Sequence, residues 1–213
     1  MTCHHIYPQI AGILDLRLDG DRYLGLVDDR AKALRLAEIG DLDTLAQTYY
    51  AMTPDVDARR RALYLAHLRR AEARGEALAD LLPRDGPILE IGSGSGGLLA
   101  ASAKRGLDIV GSDIALRWLV LARRRLRDRA LDVPLVAADG ARLPWWDRAF
   151  ATVVADSVVE HMEDPGEALI EWRRVTRPGG RLLLLSPNRY SLARDPHVGL
   201  WGLGFLPRAL APG

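Results

Sequence analysis

Short apolar runs alternate with longer amphipathic segments over the second half of the chain. The apolar runs lie at about 88–91, 107–110, 135–138, 151–155 and 181–186. Runs of this length, bounded by Gly, Pro or Asp, are typical of buried strands. Segments at 98–104, 116–126 and 165–175 instead carry apolar residues at helical spacing. The alternation predicts an α/β fold built on a doubly wound, mostly parallel sheet.

The first 84 residues follow a different pattern and predict a mostly helical extension. Helices are expected from about Asp29 to Ile39, over 42–50 and over 55–74, with a continuation to 82 past Gly75. An alternating stretch at 13–18 meets the pair Asp19-Gly20 and resumes at 23–26, which predicts a small hairpin. We therefore divide the chain into an extension at 1–84 and a domain at 85–213.

A glycine-rich turn follows the strand predicted at 88–91. Residues 92–97 read Gly-Ser-Gly-Ser-Gly-Gly, so most Cβ atoms are missing where the backbone turns sharply and a ligand can come close. The helix predicted after this turn directs its first backbone N–H groups toward it. The spacing fits both G-x-G-x-x-G and G-x-G-x-G. It therefore indicates a nucleotide-type cofactor without choosing one.

Two acidic residues narrow that choice. Glu90 stands just before the turn, where a carboxylate repels a diphosphate but suits the cationic methionine end of S-adenosylmethionine. Asp113 follows the next strand and is placed to accept hydrogen bonds from both ribose hydroxyls, which either cofactor class needs. Glu90 therefore favours S-adenosylmethionine, and Asp113 supports a ribose.

Five motifs in order resemble those of the class I S-adenosylmethionine-dependent methyltransferases, in their broad small-molecule branch. They include the glycine loop, Asp139 followed by Leu143-Pro144, the pair Glu160-His161, and the turn at 178–180 that reads Pro-Gly-Gly. The resemblance covers about 77–188. It implies a Rossmann-like methyltransferase fold with S-adenosylmethionine as cofactor, and helices of the extension that could cover the cofactor mouth as a lid.

The resemblance also implies a set of cofactor-binding residues. These are Glu90, Gly92, Gly94 and Gly96 around the methionine moiety, Asp113 at the ribose, Ile114 beside the adenine, Asp139 and Gly140 at the adenine amino group, and Ser157 at the end of the fourth strand.

Methyl transfer from a sulfonium is an in-line displacement, so the enzyme mainly has to position the acceptor. A hydroxyl or amine acceptor can also require a base, and His161 and His197 are the candidates because they follow the fourth and fifth strands. In the resembling family the pair at 160–161 also serves loop structure. We predict transfer to a small-molecule, sugar- or lipid-linked acceptor, with oxygen as the acceptor atom. A nicotinamide-dependent oxidoreductase and a non-catalytic cofactor-binding module remain alternatives.

Composition limits the other classes of function. The chain has 213 residues and a net charge of +1, which disfavours nucleic acid as a partner. The arginines at 123–129 are interpreted as a solvated helix face. Cys3 is the single cysteine, which fits a cytoplasmic location, and no apolar run is long enough to span a bilayer. No His, Asp or Glu spacing predicts a metal site.

The carboxyl-terminal stretch is shorter than the resemblance implies, because in class I methyltransferases a helix and a final two-stranded hairpin follow the fifth strand. About 26 residues follow Pro187, too few for a helix and a final hairpin of ordinary length. We therefore expect either a shortened sheet or a truncated form of a longer protein. The sequence gives no oligomeric state.

Overall fold

The computed structural model describes residues 6–53, 56–186 and 188. His197 and the other residues at 189–213 lie outside these ranges. The described part of the chain contains these elements in order: β1 (Gln9–Ile10), β2 (Ile13–Asp15), α1 (Leu26–Ala37), α2 (Leu42–Ala51), α3 (Ala58–Ala79), β3 (Ile88–Ile91), α4 (Gly97–Lys104), β4 (Ile109–Asp113), α5 (Leu116–Arg127), β5 (Leu135–Ala137), β6 (Phe150–Asp156), a 3₁₀ turn (Val159–His161), α6 (Pro165–Val175) and β7 (Thr176–Leu185).

Within the described ranges, the strands form a single seven-stranded sheet in the order β1-β2-β5-β4-β3-β6-β7. Every neighbouring pair is parallel except β1 and β2. The predicted doubly wound, mostly parallel sheet is confirmed. The chain moves outward from β3 to β5 and then returns to β6 on the other side, so the strand order reverses beside β3. Ligands of such sheets bind at the carboxyl end of the strands where this reversal occurs.

Helices cover both faces of the sheet. On one face, Ile88 and Val154 share a core with Leu99 of α4 and Leu119 of α5. On the other face, buried residues of β3 and β6 pack against α6, whose Trp172 is fully buried. Some of these helices begin at a capping residue in the local sequence. The Asp41 carboxylate caps α2 by accepting from the Thr44 N–H, and Asp164 caps α6 ahead of its first residue, a proline.

The extension contributes strands to the same sheet. Strand β2 pairs in parallel with β5, with Leu14 opposite Val136. The hairpin predicted around Asp19-Gly20 is wrong, because the turn lies at Ala11-Gly12 instead, where both residues have positive φ. In β2 the inward positions are Ile13 and Asp15, so a buried carboxylate interrupts the apolar pattern that marks a strand. The division after residue 84 stays a prediction.

Arg125 departs from the solvated face predicted for the arginines of α5. Its side chain is buried, and its guanidinium donates to the carbonyls of Ser95 at 2.7 Å and Leu68 at 2.8 Å. Burial lowers its pKa to about 10. Arg125 thus joins the glycine loop to α3. The described residues include no helix that is both long and apolar enough to cross a membrane.

Candidate cofactor-binding site

Three acidic side chains lie on one face of the sheet, at the carboxyl ends of adjacent strands. Glu90 of β3 lies opposite Gly111 of β4 and Val154 of β6. Asp113 and Asp156 come two residues later on those two strands, and residues two apart in a strand share a face. Because parallel strands end at a common edge, these three residues flank the start of the glycine loop. We call Glu90, Asp113 and Asp156 the acidic cluster.

Glu90 is the most deeply buried member of the acidic cluster. Its side chain is 6% exposed, and its Oε2 atom has no hydrogen-bond partner among the described residues. Burial, and then the charges of Asp156 and Asp113, raise the pKa of Glu90 well above its usual value. A buried carboxylate without a partner is unfavourable unless a cation or a donor reaches it. The site therefore favours a positively charged ligand.

Asp113 is half-buried and joins the glycine loop to the start of α5. Its Oδ2 atom accepts from the Gly94 N–H and its Oδ1 atom from the Ala115 N–H, both at 2.8 Å. Burial raises the pKa of Asp113, although these two hydrogen bonds oppose the increase. Each carboxylate oxygen has further acceptor capacity, so Asp113 can still accept from ligand hydroxyls.

The glycines of the loop have two different roles. A Cβ on Gly92 would lie 2.4 Å from Val158 Cγ2, and one on Gly96 would lie 2.9 Å from the Ala122 Cβ, so both positions are needed for close packing. A Cβ on Gly94 would meet nothing closer than the Gly92 carbonyl oxygen at 3.9 Å. Gly94 has a φ of +49° and faces open space. Among the glycines of this loop, Gly94 therefore leaves the most room beside its Cα for a ligand.

The residues predicted to contact adenine lie beyond the ends of β4 and β5. Ile114 is half-buried beside Asp113, and its carbonyl accepts from Arg17 Nη1 at 2.6 Å. Asp139 comes two residues after Ala137, the partner of Asp113 in the sheet, and it accepts from the Ala141 N–H at 2.9 Å.

Gly140 packs against the segment that follows β6. It is buried, and a Cβ there would lie 3.5 Å from the Met162 Cε. Its carbonyl accepts from the indole of Trp172 at 2.9 Å. The structure therefore places Ile114, Asp139 and Gly140 along the same edge of the sheet as the acidic cluster.

Ser157 and His161 follow β6. Ser157 has a φ of +60°, and its hydroxyl donates to Asp156 Oδ1 at 3.1 Å. His161 is exposed at the end of the 3₁₀ turn, and its imidazole hydrogen-bonds to no described residue. The neighbours Val158 and Met162 hold this turn against Gly92 and Gly140. Glu160 adds a long contact of 3.4 Å from the Ser186 hydroxyl.

A second group of charges, which the sequence did not predict, lies beside Ile114, one of the residues predicted to contact adenine. Arg17 donates hydrogen bonds to the carboxylates of Asp15 and Asp29 as well as to the Ile114 carbonyl. Asp29 also accepts from the Leu116 N–H and from Arg117. We call Asp15, Arg17, Asp29 and Arg117 the paired cluster. Its members are spread over about half of the sequence, so no local spacing could reveal it.

Helix α3 of the extension reaches the other side of the site. Arg74 Nη2 lies 2.5 Å from Asp156 Oδ1, and the next residue, Gly75, packs against Gly97 at the start of α4. Arg74 could not be predicted as a site residue, because a single arginine in an arginine-rich helix carries no distinguishing signal. The site is therefore bordered by the extension on two sides.

Comparison with known proteins agrees with this geometry. Residues 89–184 match a family model described as a methyltransferase domain. Demethylmenaquinone methyltransferase of Thermus thermophilus is 34% identical over 151 residues, which cover 70% of this chain and 62% of that relative.

The chain belongs to the class I S-adenosylmethionine-dependent methyltransferase family.

Other members of the family extend the comparison. The ubiquinone/menaquinone biosynthesis C-methyltransferase of Bordetella avium is 34% identical over 123 residues, which cover 56% of this chain and 48% of that relative. The chain thus spans about half to three-fifths of the length of these two methyltransferases. A crystal structure from Methanococcus maripaludis, titled as an S-adenosylmethionine-dependent methyltransferase, has a TM-score of 0.52 at 20% identity and covers 69% of this chain and 64% of that chain. That likeness concerns the fold.

Proposed function

We propose that this protein is an S-adenosylmethionine-dependent methyltransferase that acts on a small-molecule acceptor. The observation that carries the proposal is the unpartnered Oε2 atom of buried Glu90, which lies between Asp113 and Asp156 and beside the open backbone of Gly94. The acidic cluster suits a cofactor with an ammonium and a sulfonium group. It disfavours the diphosphate of a nicotinamide dinucleotide, because like charges repel in a poorly hydrated site.

The described residues fit the parts of this cofactor. Glu90 would hold the ammonium group and Asp113 the ribose hydroxyls, while Gly94 lets the backbone come close. Ile114, Asp139 and Gly140 would border the adenine, with Gly92, Gly96 and Ser157 shaping the rest of the cradle. When bound, S-adenosylmethionine supplies a methyl group on an already activated leaving group. The chain's own contribution is to orient the acceptor and keep water away.

Calorimetry tests the cofactor. We expect heat of binding with S-adenosylmethionine and none with NAD, which would support the methyltransferase over the oxidoreductase. Asp113→Ala should weaken S-adenosylmethionine binding by about 1.5–3 kcal/mol, the range for hydrogen bonds to a charged group. Asp43→Ala, on the exposed surface of α2, is the matched control and should leave binding unchanged. Binding of NAD alone would contradict the proposal.

The names of the relatives bear on the acceptor. One acts on demethylmenaquinone and another is a C-methyltransferase, which supports transfer to carbon of a quinone-type ring over the predicted transfer to oxygen. Turnover of isotopically labelled methyl groups should be measured with reduced demethylmenaquinone, with phenolic acceptors, and with sugar- and lipid-linked alcohols. Product fragmentation in mass spectrometry would show whether the label is on carbon or oxygen. No turnover with any acceptor, together with tight cofactor binding, would favour a non-catalytic module.

We propose His161 as the general base for an acceptor that must lose a proton. It lies after β6 at the cofactor edge, and its exposed imidazole can exchange protons with solvent. His161→Ala should keep cofactor affinity, lower turnover about 100-fold and remove one limb of the pH profile. His67→Ala, an exposed histidine of α3, is the control. Equal rates at every pH would exclude the role.

A further inference from the structure

Two arginines of α5 converge on the turn between β1 and β2. A Cβ on Gly12 would lie 3.0 Å from Arg123 Nη1 and 4.0 Å from Arg127 Nη2, so both guanidinium groups lie beside this turn. The two arginines are four positions apart, and residues at this spacing are neighbours on a helix surface. Two like charges therefore lie close together at one place on the surface of the extension and α5.

The two arginines differ from the one between them in having no acidic partner. Arg124 pairs with Asp128 one turn later. Neither Arg123 nor Arg127 has a carboxylate within ion-pair distance among the described residues. Adjacent like charges destabilise a helix unless an opposite charge compensates them.

Arg123 is anchored at the turn, yet its charge is not compensated there. Its Nη2 atom donates to the Gly12 carbonyl at 2.7 Å, while its Nε atom is buried and has no acceptor in the part of the chain that the structure describes. Burial lowers the pKa of Arg123, and the charge of Arg127 lowers it further, while the exposed carboxylate of Asp132 opposes both. A bound anion would relieve this repulsion, so the arrangement favours a negatively charged ligand.

The number of charges and the shape of the guanidinium groups indicate which anion fits. A phosphate monoester carries about −1.5 to −2 charges at neutral pH, enough to balance both arginines, whereas a single carboxylate balances one. The planar fork of arginine also matches phosphate oxygens through parallel N–H donors. The side-chain amide of Gln9, 3.4 Å from the Gly12 carbonyl, places a further donor at the same turn.

We infer that Arg123 and Arg127 form a binding site for a phosphate group, carried either by a soluble compound or by a lipid headgroup. Gly12 precedes β2, which is parallel to β5, so the site lies at the amino edge of the sheet. The cofactor residues lie at the carboxyl edge. The inference is therefore independent of the proposed function.

Titration with inorganic phosphate and pyrophosphate, followed by ³¹P nuclear magnetic resonance at constant ionic strength in chloride, tests the site. Arg127→Gln should weaken binding about 10- to 100-fold, the range for hydrogen bonds between charged groups. Arg127 is exposed, so this variant should fold normally. Arg124→Gln removes the same charge from the same helix and is the matched control, which should change the affinity by less than about twofold.

Vesicle co-sedimentation identifies the source of the phosphate. Phosphatidylcholine vesicles with and without phosphatidic acid should be compared. Binding that requires phosphatidic acid and is lost in Arg127→Gln would support the site and assign the phosphate to a lipid. Binding of the soluble phosphates alone would support the site and assign it to a soluble compound.

Three results would overturn the inference. The unmodified protein could bind none of the phosphates or vesicles. Arg127→Gln could bind them as well as the unmodified protein does. Equal losses in Arg127→Gln and Arg124→Gln would mean that net charge alone attracts the anion.

Discussion

Two clusters of charge in the described residues differ in how completely their charges are paired, since only Asp156 of the acidic cluster meets a cation, Arg74. In the paired cluster, Arg17 bonds two carboxylates, and Arg117 bonds Asp29 at 2.8 Å and Asp21 at 2.6 Å. In the acidic cluster, three carboxyl groups converge and the Glu90 Oε2 atom has no partner in the described residues. The two clusters meet at the end of β4, where Arg17 donates to the carbonyl of Ile114, the residue after Asp113.

This difference in pairing indicates that one cluster stabilises the fold and that the other binds a ligand. Burial opposes ionisation of Asp15, yet the hydrogen bonds from Arg17 and Arg30 lower its pKa. Burial and neighbouring acids instead raise the pKa of Glu90. A cluster whose charges are paired gains little from a ligand, whereas one with excess negative charge is stabilised when a cation arrives. We therefore propose that the paired cluster serves folding and that the acidic cluster serves cofactor binding.

The largest expected effect comes from breaking the paired cluster. Arg17→Met would leave Asp15 and Asp29 buried with fewer partners, and we expect the free energy of unfolding to fall by about 3–5 kcal/mol. Urea denaturation measures it. A loss below about 1 kcal/mol would show that the cluster contributes little to folding.

Glu90→Gln should weaken cofactor binding without reducing stability. It removes the charge of the side chain and keeps the shape of that side chain. The affinity for S-adenosylmethionine should fall by about 1.5–3 kcal/mol, while the free energy of unfolding at neutral pH stays equal or rises. Calorimetry and urea denaturation of the same preparation give both values. Glu160→Gln, an exposed acid of the 3₁₀ turn, serves as the control. Reduced stability with unchanged affinity would make Glu90 a structural acid.

The pH dependence of stability should distinguish the clusters by sign. Because the pKa of Glu90 and of Asp113 is raised, the folded protein keeps protons that the unfolded chain has lost. Stability should therefore fall as pH rises from about 4 through these raised values, by at most about 1.4 kcal/mol per pH unit for each proton. Glu90→Gln should flatten this slope.

The carboxyl group of Asp15 makes stability change with pH in the opposite direction. Its pKa is lowered, so its contribution is present above the ordinary range of an aspartate and is lost as pH falls through the lowered value. Urea midpoints from pH 3 to 8, for the unmodified protein and Glu90→Gln, measure both trends. Identical curves for the two proteins would contradict the raised pKa of Glu90.

The smallest effect is expected at an exposed ion pair. Arg69 and Asp43 join α3 to α2 at 2.9 Å, but both side chains are more than half exposed. Arg69→Met should change the free energy of unfolding by no more than about 1 kcal/mol. Thermal unfolding checks this, and a loss as large as that of Arg17→Met would remove the distinction between paired burial and paired exposure.

The parts of the fold that local pattern determines were predictable from the sequence. The apolar run before Gly92 gives β3, and α6 is bounded by Pro165 and Val175 as expected. Strand β2 could not be predicted as it stands, since its three residues include an exposed Leu14 and a buried Asp15. Its position depends on pairing with β5, more than 100 residues later.

The residues of the candidate site also divide into those that the local sequence predicts and those that only the fold brings together. Glu90, Gly94 and Asp113 were recognisable because strand, turn and acid follow one another at short spacing. The contacts of Arg74 and Asp29 join residues 82 and 87 positions apart, so the fold creates them. Arg125 was misjudged because its guanidinium is satisfied by backbone carbonyls, which leave no mark on side-chain composition.

Strand β2 has a practical consequence for anyone who prepares a shorter piece of this protein. The family match begins at residue 89, yet a fragment cut there would lack the neighbour of β5 and expose an unpaired sheet edge. Open edges recruit other chains. A fragment that begins before Gln9 should stay dispersed at concentrations where one that begins at residue 85 forms aggregates.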